Sequence, residues 1–423
     1  MPDRTKAPKI HDINALRLPA VQHYELDNGT PVYAVDLGTQ DVVKLELVFE
    51  AGRPYEQKRL AARATARQIR EGSMQYSAAD VAEALDFYGC TLSVPFQLDH
   101  ATFSLYTLSK HFAPGLRLIT DLLQQPTFPE KELEAFTQRN QRRLSVDLSK
   151  NDVVAYRQVT EQIFGESHPY GYNSQPSTYS ALQREDLVEH HQRLYNRQNC
   201  TIFLSGRVTK TVMEQVNEAF SRALPEGPPA RAQVSTPPAQ RKALHLERPN
   251  TVQSALRIGR PLFNRQHPDY QGMYVLNTIL GGYFGSRLMA NIREDKGYTY
   301  NVYSAVDVMQ YGGQFMVGAE VGHEVVEDSL AQIYLEMERL QQEPVGEAEL
   351  QMVRNYLLGN FLTLLDGPFN VADVVRTQVL EGLPMDYLEQ LADTVRHISP
   401  EELQKLAQRY FNKTEMVEVI VGP

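Results

Sequence analysis

The 423-residue chain has little cysteine, no excess of positive charge and no long apolar run, and each shortage removes a class of function. Its two cysteines, Cys90 and Cys200, lie far apart and outside any CxxC spacing. That excludes a disulfide framework and a cysteine-based zinc site, so both are expected to be core thiols. Lys and Arg number 42 against 52 Asp and Glu, a net charge of −10, which argues against a nucleic acid or an anionic membrane as the main partner. No segment is apolar for long enough to span a bilayer, and the N-terminal residues lack a signal-peptide core. The expectation is a soluble, cytoplasmic protein.

Hydrolytic motifs are missing too. There is no GxSxG elbow, and neither cysteine has a sequence signature of activation. None of the 11 histidines falls in HxxEH or its inverse. His323-Glu324-Val325-Val326-Glu327 starts like HExxH but ends in glutamate, and it is expected to open a surface helix. His190 and His191 are adjacent, so they project from different helix faces and would not share a metal.

What is present is enough length and apolar content for two cores of roughly 200 residues each. Five prolines between residues 224 and 250 (Pro225, Pro228, Pro229, Pro237 and Pro238) favour an extended tether there. Residues 1–223 then form a first domain, 224–250 a linker and 251–423 a second domain. The two halves resemble each other. At an offset of 216 residues, Gln192, Arg193, Asn196 and Gly206 meet Gln408, Arg409, Asn412 and Gly422. Each copy reads as a helix, a short turn and a buried strand. The stretches 112–136 and 324–353 echo one another as a helix, a proline break and a helix. Such a pattern predicts a tandem duplication of one α+β unit. Each unit is expected to be a mostly antiparallel sheet covered by helices on one face. Asn28-Gly29 reads as a two-residue hairpin turn.

ILGGYFGSRLMANIREDKGYTYNVYS, residues 279–304, resembles a stretch in the C-terminal half of pitrilysin/insulinase-type (inverzincin) peptidases and mitochondrial processing peptidase subunits. The shared pieces are Gly281-Gly282, with Gly285 in the same glycine-rich loop, then Ser286-Arg287-Leu288, Arg293-Glu294, Gly297 and Tyr300. LDNGTPVY, FEAGRPYE, FGESHPYG, YNRQNCTIFLSG and the final VIVG extend the similarity over nearly the whole chain. The resemblance implies that each chain is half of a clam-shell chamber. It also implies that Arg293 and Tyr300 hold a peptide near a catalytic metal. A guanidinium grips a carbonyl or carboxylate, and a phenol donates to an oxyanion. Two plainer readings stay open, in which Arg293 pairs with neighbouring acids and Tyr300 is sheet core beside Tyr298 and Val302. The glycines would allow a sharp turn and close backbone approach, or simply a helix entry.

Active relatives of this type carry HxxEH, two histidine ligands with a glutamate that activates water, plus a glutamate ligand from a later helix. In LAARATARQIREGS the matching positions are Arg63, Ala66 and Arg67, and the best-aligned third position is Arg143. Guanidinium stays protonated and has no lone pair to give a metal. No cofactor is therefore expected in this chain. The resemblance implies that a homologous partner subunit supplies HxxEH and its zinc, while this chain helps bind the peptide substrate. A peptide-holding scaffold or homodimer is the alternative. The arginines at 63, 67 and 143 would attract acidic peptide segments or lie salt-bridged on a helix face.

Overall fold

Runs of β-branched and aromatic residues fix the strands in both halves of the chain. The computed structural model describes residue 13 and residues 16–95, 97–235 and 243–423. The N-terminal stretch read for a leader, and Pro237 and Pro238 of the linker, lie outside the described residues.

The first sheet contains β1 (Gln22–Glu25), β2 (Pro31–Asp36), β3 (Val42–Phe49), β4 (Thr91–Ser93), β5 (Ala101–Leu108) and β6 (Cys200–Gly206), in the order β1-β2-β6-β3-β5-β4. The second contains β7 (Leu244–Glu247), β8 (Gln253–Leu262), β9 (Val302–Met309), β10 (Gly312–Gly322) and β11 (Val417–Gly422), in the order β7-β11-β8-β10-β9. With β1 set aside, the two orders correspond strand for strand. In each sheet only the first and last of these strands pair in parallel, β2 with β6 and β7 with β11. Within the stretch read as a linker, β7 is therefore a strand. Another part of it is fastened to the first half, where Asn196 and Asn199 both donate to the Pro228 carbonyl at 3.2 Å.

The helices of the first half are α1 (Ala61–Gln68), α2 (Ala78–Tyr88), α3 (Phe112–Gln124), α4 (Glu130–Asp147), α5 (Asn151–Phe164), α6 (Pro176–Ser180), α7 (Arg184–Leu194) and α8 (Lys210–Ala223). Those of the second are α9 (Tyr270–Asn277), α10 (Val326–Gln342), α11 (Glu347–Leu364), α12 (Gly367–Leu380), α13 (Tyr387–His397) and α14 (Pro400–Tyr410). The terminal repeat is physical as well as textual. Asn196 accepts from the Gln198 amide at 3.0 Å and Asn412 from the Thr414 amide at 3.1 Å, so both asparagines cap the turn that feeds the last strand of their half.

Two expectations are corrected. The hairpin loop after β1 holds three residues rather than two, because Leu26 N donates to Thr30 O at 3.0 Å and Gly29 takes φ +82°. A type I turn closed by a left-handed glycine produces that geometry. More consequentially, each sheet is covered on both faces, and the second cover comes from the opposite half. Ala155, Val159 and Ile163 of α5 cluster with Ala255, Met316, Val417, Val419 and Val421 of the second sheet. In return, Val371, Ala372 and Val375 of α12 cluster with Val35, Val48 and Phe203 of the first. Both faces of β3 are consequently buried, and charged residues are caught in the interface. Lys44 lies 3.0 Å from both Glu46 and Asp373, while Arg376 lies 2.6 Å from Glu46 and 2.9 Å from Asp373. Among the described residues no helix is long and apolar enough to cross a membrane.

Candidate functional site

Helix α1 carries Arg63, Ala66 and Arg67, three of the four residues that the sequence resemblance set at degenerate zinc positions, and its start is set by a carboxylate that sequence reasoning missed. Leu60 precedes the helix at φ 73° and offers no side-chain cap. Glu56 supplies one instead, accepting from the Ala62 amide at 3.0 Å and from the Tyr172 hydroxyl at 2.7 Å. Arg53 and Arg59 both lie over the Tyr172 ring, at 4.3 and 5.2 Å from its centroid. Burial pushes the Glu56 carboxyl up to about 7, with the Tyr172 hydrogen bond and the Arg53 charge opposing.

Arg63 reaches out of α1 to Asn140 Oδ1 at 3.2 Å and Tyr179 OH at 3.4 Å. Arg67, one turn on, is held below the usual arginine range by burial and by the like charges of Arg63 and Arg70. Ala66 is buried. Arg143 is not part of this group: its side chain is 78% exposed and pairs with Asp147, one turn along α4. The residue of α4 that meets α1 is Asn140, three positions earlier on the same helix face. The positive cluster is therefore Arg63, Arg67 and Arg70 rather than Arg63, Arg67 and Arg143. Around it, Arg53, Arg63, Ala66, Arg67 and His100 line a space of about 20 Å³, no larger than a water-sized gap. These side chains do not fit a zinc ion, since His100 is the one imidazole in the lining and the arginines, alanine and neutral amide around it add no further ligand. Among the described residues no group of three His, Cys, Asp or Glu side chains is placed to hold a metal.

His100 and Gln97 also border a larger cavity of about 410 Å³ between the two halves, shared with Asp307, Gln314 and Arg376. Burial, aided by the Arg376 charge, lowers His100 to about 4, so the ring is neutral at physiological pH. Asp99 bridges the halves here by accepting from Tyr170 OH and from the Gln310 amide, the latter at 3.0 Å. His190 and His191 are neutral core rings, each lowered to about 4 mainly by burial, and they bond to separate carbonyls, Ala51 O and Leu123 O. Both cysteines are buried and unbridged.

The second constellation lies in the 279–304 segment. Gly281 and Gly282 end a π-helical turn, Thr278–Gly282, and a second π-helical turn, Met289–Asp295, carries Arg293. None of Gly281, Gly282 and Gly285 takes a left-handed φ. At Gly281 the constraint is contact: a Cβ there would lie 2.5 Å from Ser304 N, so the glycine lets this turn press against β9 of its own chain. Tyr300 precedes β9, which begins at Val302, and at 85% exposure it is not sheet core. Arg293 lies between two rings, with its guanidinium carbon 4.6 Å from the Phe284 centroid and 4.7 Å from the Tyr300 centroid. Phe284, also 61% exposed, is the third member of the stack, and the sequence reading passed over it. Two solvent-facing rings holding a guanidinium make a preorganised cation–π clamp. Its hydrogen-bonding edge suits a carbonyl or carboxylate.

Residues 181–357 match the family profile described as the Peptidase M16 inactive domain. Among curated proteins, the chain is 20% identical to an uncharacterized zinc protease, YmxG, of Bacillus subtilis, over 83% of this chain and 85% of that one. It is also 20% identical to a Helicobacter pylori protein named non-peptidase homolog YmxG, over 96% of this chain and 95% of that one. Among solved structures, a peptidase M16 inactive domain from Pseudomonas fluorescens superposes with a TM-score of 0.88 at 26% identity, covering 95% of this chain and 98% of that one. A protease from Helicobacter pylori shares the fold at a TM-score of 0.87 and 16% identity, covering 96% of this chain and all of that one (100%).

Proposed function

From a chain that is a peptidase-like protein of the M16, pitrilysin/insulinase type without that type's zinc motif, we propose a zinc-less, substrate-binding subunit of a two-subunit metallopeptidase. The observation that carries this reading is the exposed Phe284–Arg293–Tyr300 stack in one half while α1 of the other bears Arg63, Ala66 and Arg67. Losing the ligands removes the ability to activate water, yet it leaves the means of gripping a peptide. A homologous partner with HxxEH would hold the zinc and supply its water-activating chemistry. This chain would close against it as the other half of a chamber. Its Arg293 would hold a substrate carbonyl or carboxylate, and the Tyr300 hydroxyl would donate to oxygen as negative charge builds there.

The test is reconstitution. Neither chain alone should hydrolyse a quenched fluorescent peptide, and the mixture should. A chain that assembles with its HxxEH-bearing homologue without changing peptide hydrolysis would instead favour the scaffold reading, for which the name of the Helicobacter pylori relative, non-peptidase homolog, is the supporting observation.

A further inference from the structure

Positive charge is concentrated around α1 in a chain that is acidic as a whole. Residues 53–71 bring together Arg53, Lys58, Arg59, Arg63, Arg67 and Arg70 against Glu56 and Glu71, while the net charge of the chain is −10. Several of these cations are already engaged. Arg59 pairs with Glu166 at 3.4 Å, Arg70 approaches Glu71 at 4.0 Å, and Arg53 lies over the Tyr172 ring. Arg67 is different. It is half-buried, it has no hydrogen bond or ion pair to any described residue, and the charges that act on it are those of Arg63 and Arg70, both of its own sign.

The surroundings of Arg67 supply donors and no carboxylate. It shares a notch between α1 and the β4–β5 loop with Arg53, Arg63, Gln97 and His100, and alanine, glycine, valine and proline complete the lining. Gln97 Oε1 accepts from Thr102 Oγ1 at 2.6 Å, which leaves the Gln97 amide N–H groups without a partner among the described residues. An unpaired guanidinium next to like charges and a spare amide donor lacks one thing, an anion. The notch is about 20 Å³, room for one water-sized group, so it suits the end of a side chain rather than a whole small molecule.

We propose that the notch at Arg67 binds a peptide carboxylate, the side chain of a glutamate or aspartate, which accepts from the Arg67 guanidinium and the Gln97 amide. This inference rests on the substrate-binding reading above and gives it a substrate class, acidic peptides. A planar carboxylate can seat one oxygen in a water-sized space, and a tetrahedral phosphate is the bulkier fit. Because the chain as a whole repels anions, any hold on an acidic peptide must come from a local site of this kind.

Binding is measured on this chain alone, by the fluorescence anisotropy of rhodamine-labelled hexaglutamate, so its failure is distinguishable from failure of the reconstituted hydrolysis. Hexaglutamate should bind saturably, and hexaglutamine should not. Arg67→Gln should weaken hexaglutamate binding by roughly ten-fold or more without lowering the thermal midpoint, since it removes a cation that has like-charged neighbours and no partner. Gln97→Glu keeps an acceptor for Thr102 and places a carboxylate in the notch. It should weaken binding to a similar degree, and it provides a second test should the Arg67 variant fold poorly. Lys210→Gln, at an exposed ion pair on α8, should leave the affinity unchanged. The absence of saturable hexaglutamate binding, equal binding of hexaglutamine, or unchanged affinity in either notch variant would overturn the assignment. So would equal weakening by Lys210→Gln, or displacement by inorganic phosphate at a concentration where acetate has no effect.

Discussion

At the scale of single residues, Glu56 at the start of α1 makes the fold's stability depend on pH. Glu56 both caps the helix and meets Tyr172, and its carboxyl is raised from an ordinary 4.5 to about 7. A group raised on folding binds its proton more tightly in the folded chain, so the stability it contributes is present below about pH 4.5. It is lost as pH climbs through about 7. The full loss is on the order of 3 kcal/mol. Glu56→Gln keeps an acceptor for Ala62 and a polar group for Tyr172, so it should flatten that decline and raise the urea midpoint at pH 8. Equal midpoints for the two proteins across pH 5 to 8 would contradict this. Residues of this kind explain what was legible beforehand and what was not. That Arg63, Ala66 and Arg67 cannot hold zinc follows from side-chain chemistry, whereas their match to ligand positions is what the resemblance to pitrilysin/insulinase-type peptidases implies. Glu56 and Asn140 matter because the folded backbone brings them to α1, and no local pattern announces that. Phe284 stood within the recognised segment, but its role beside Arg293 depends on a π-helical turn that apolar spacing does not reveal.

At the scale of elements, most strands were visible because their apolar and β-branched runs are bounded by turn residues. ATFSLYTL, for example, coincides with β5. What spacing could not show was which half each helix would cover. β3, with a continuous buried run, carried the clue, since a strand buried on both faces needs two covers. The exchange of α5 and α12 makes these helices structural hinge-pins between the halves. Ile163→Ala should cost about 2–5 kcal/mol. It should also accelerate amide exchange in β8 and β11, which belong to the other half from α5. Acceleration confined to the first sheet would contradict the exchange. Glu46→Ala should cost about 3–5 kcal/mol in chemical denaturation, because it leaves Lys44 and Arg376 facing each other with one carboxylate fewer. A change under about 1 kcal/mol, typical of an exposed pair, would show that the network is solvated.

For the molecule as a whole, the duplication was readable in the 216-residue echo, and the matching strand orders give it a structural counterpart. The exchanged helices add something a duplication alone does not imply, namely that the two halves support one another. Calorimetry should therefore show a single unfolding transition, and two separated transitions would mean independent domains. The proposed division of labour gives Arg293 the task of holding substrate beside a zinc that a homologous partner would carry. Its most direct test is the peptide-hydrolysis rate of the HxxEH-bearing homologue mixed with this chain, comparing the unsubstituted protein with Arg293→Ala at matched complex concentration. With assembly intact, kcat/KM should fall by roughly 10²-fold. An unchanged kcat/KM in the assembled Arg293→Ala complex would contradict it.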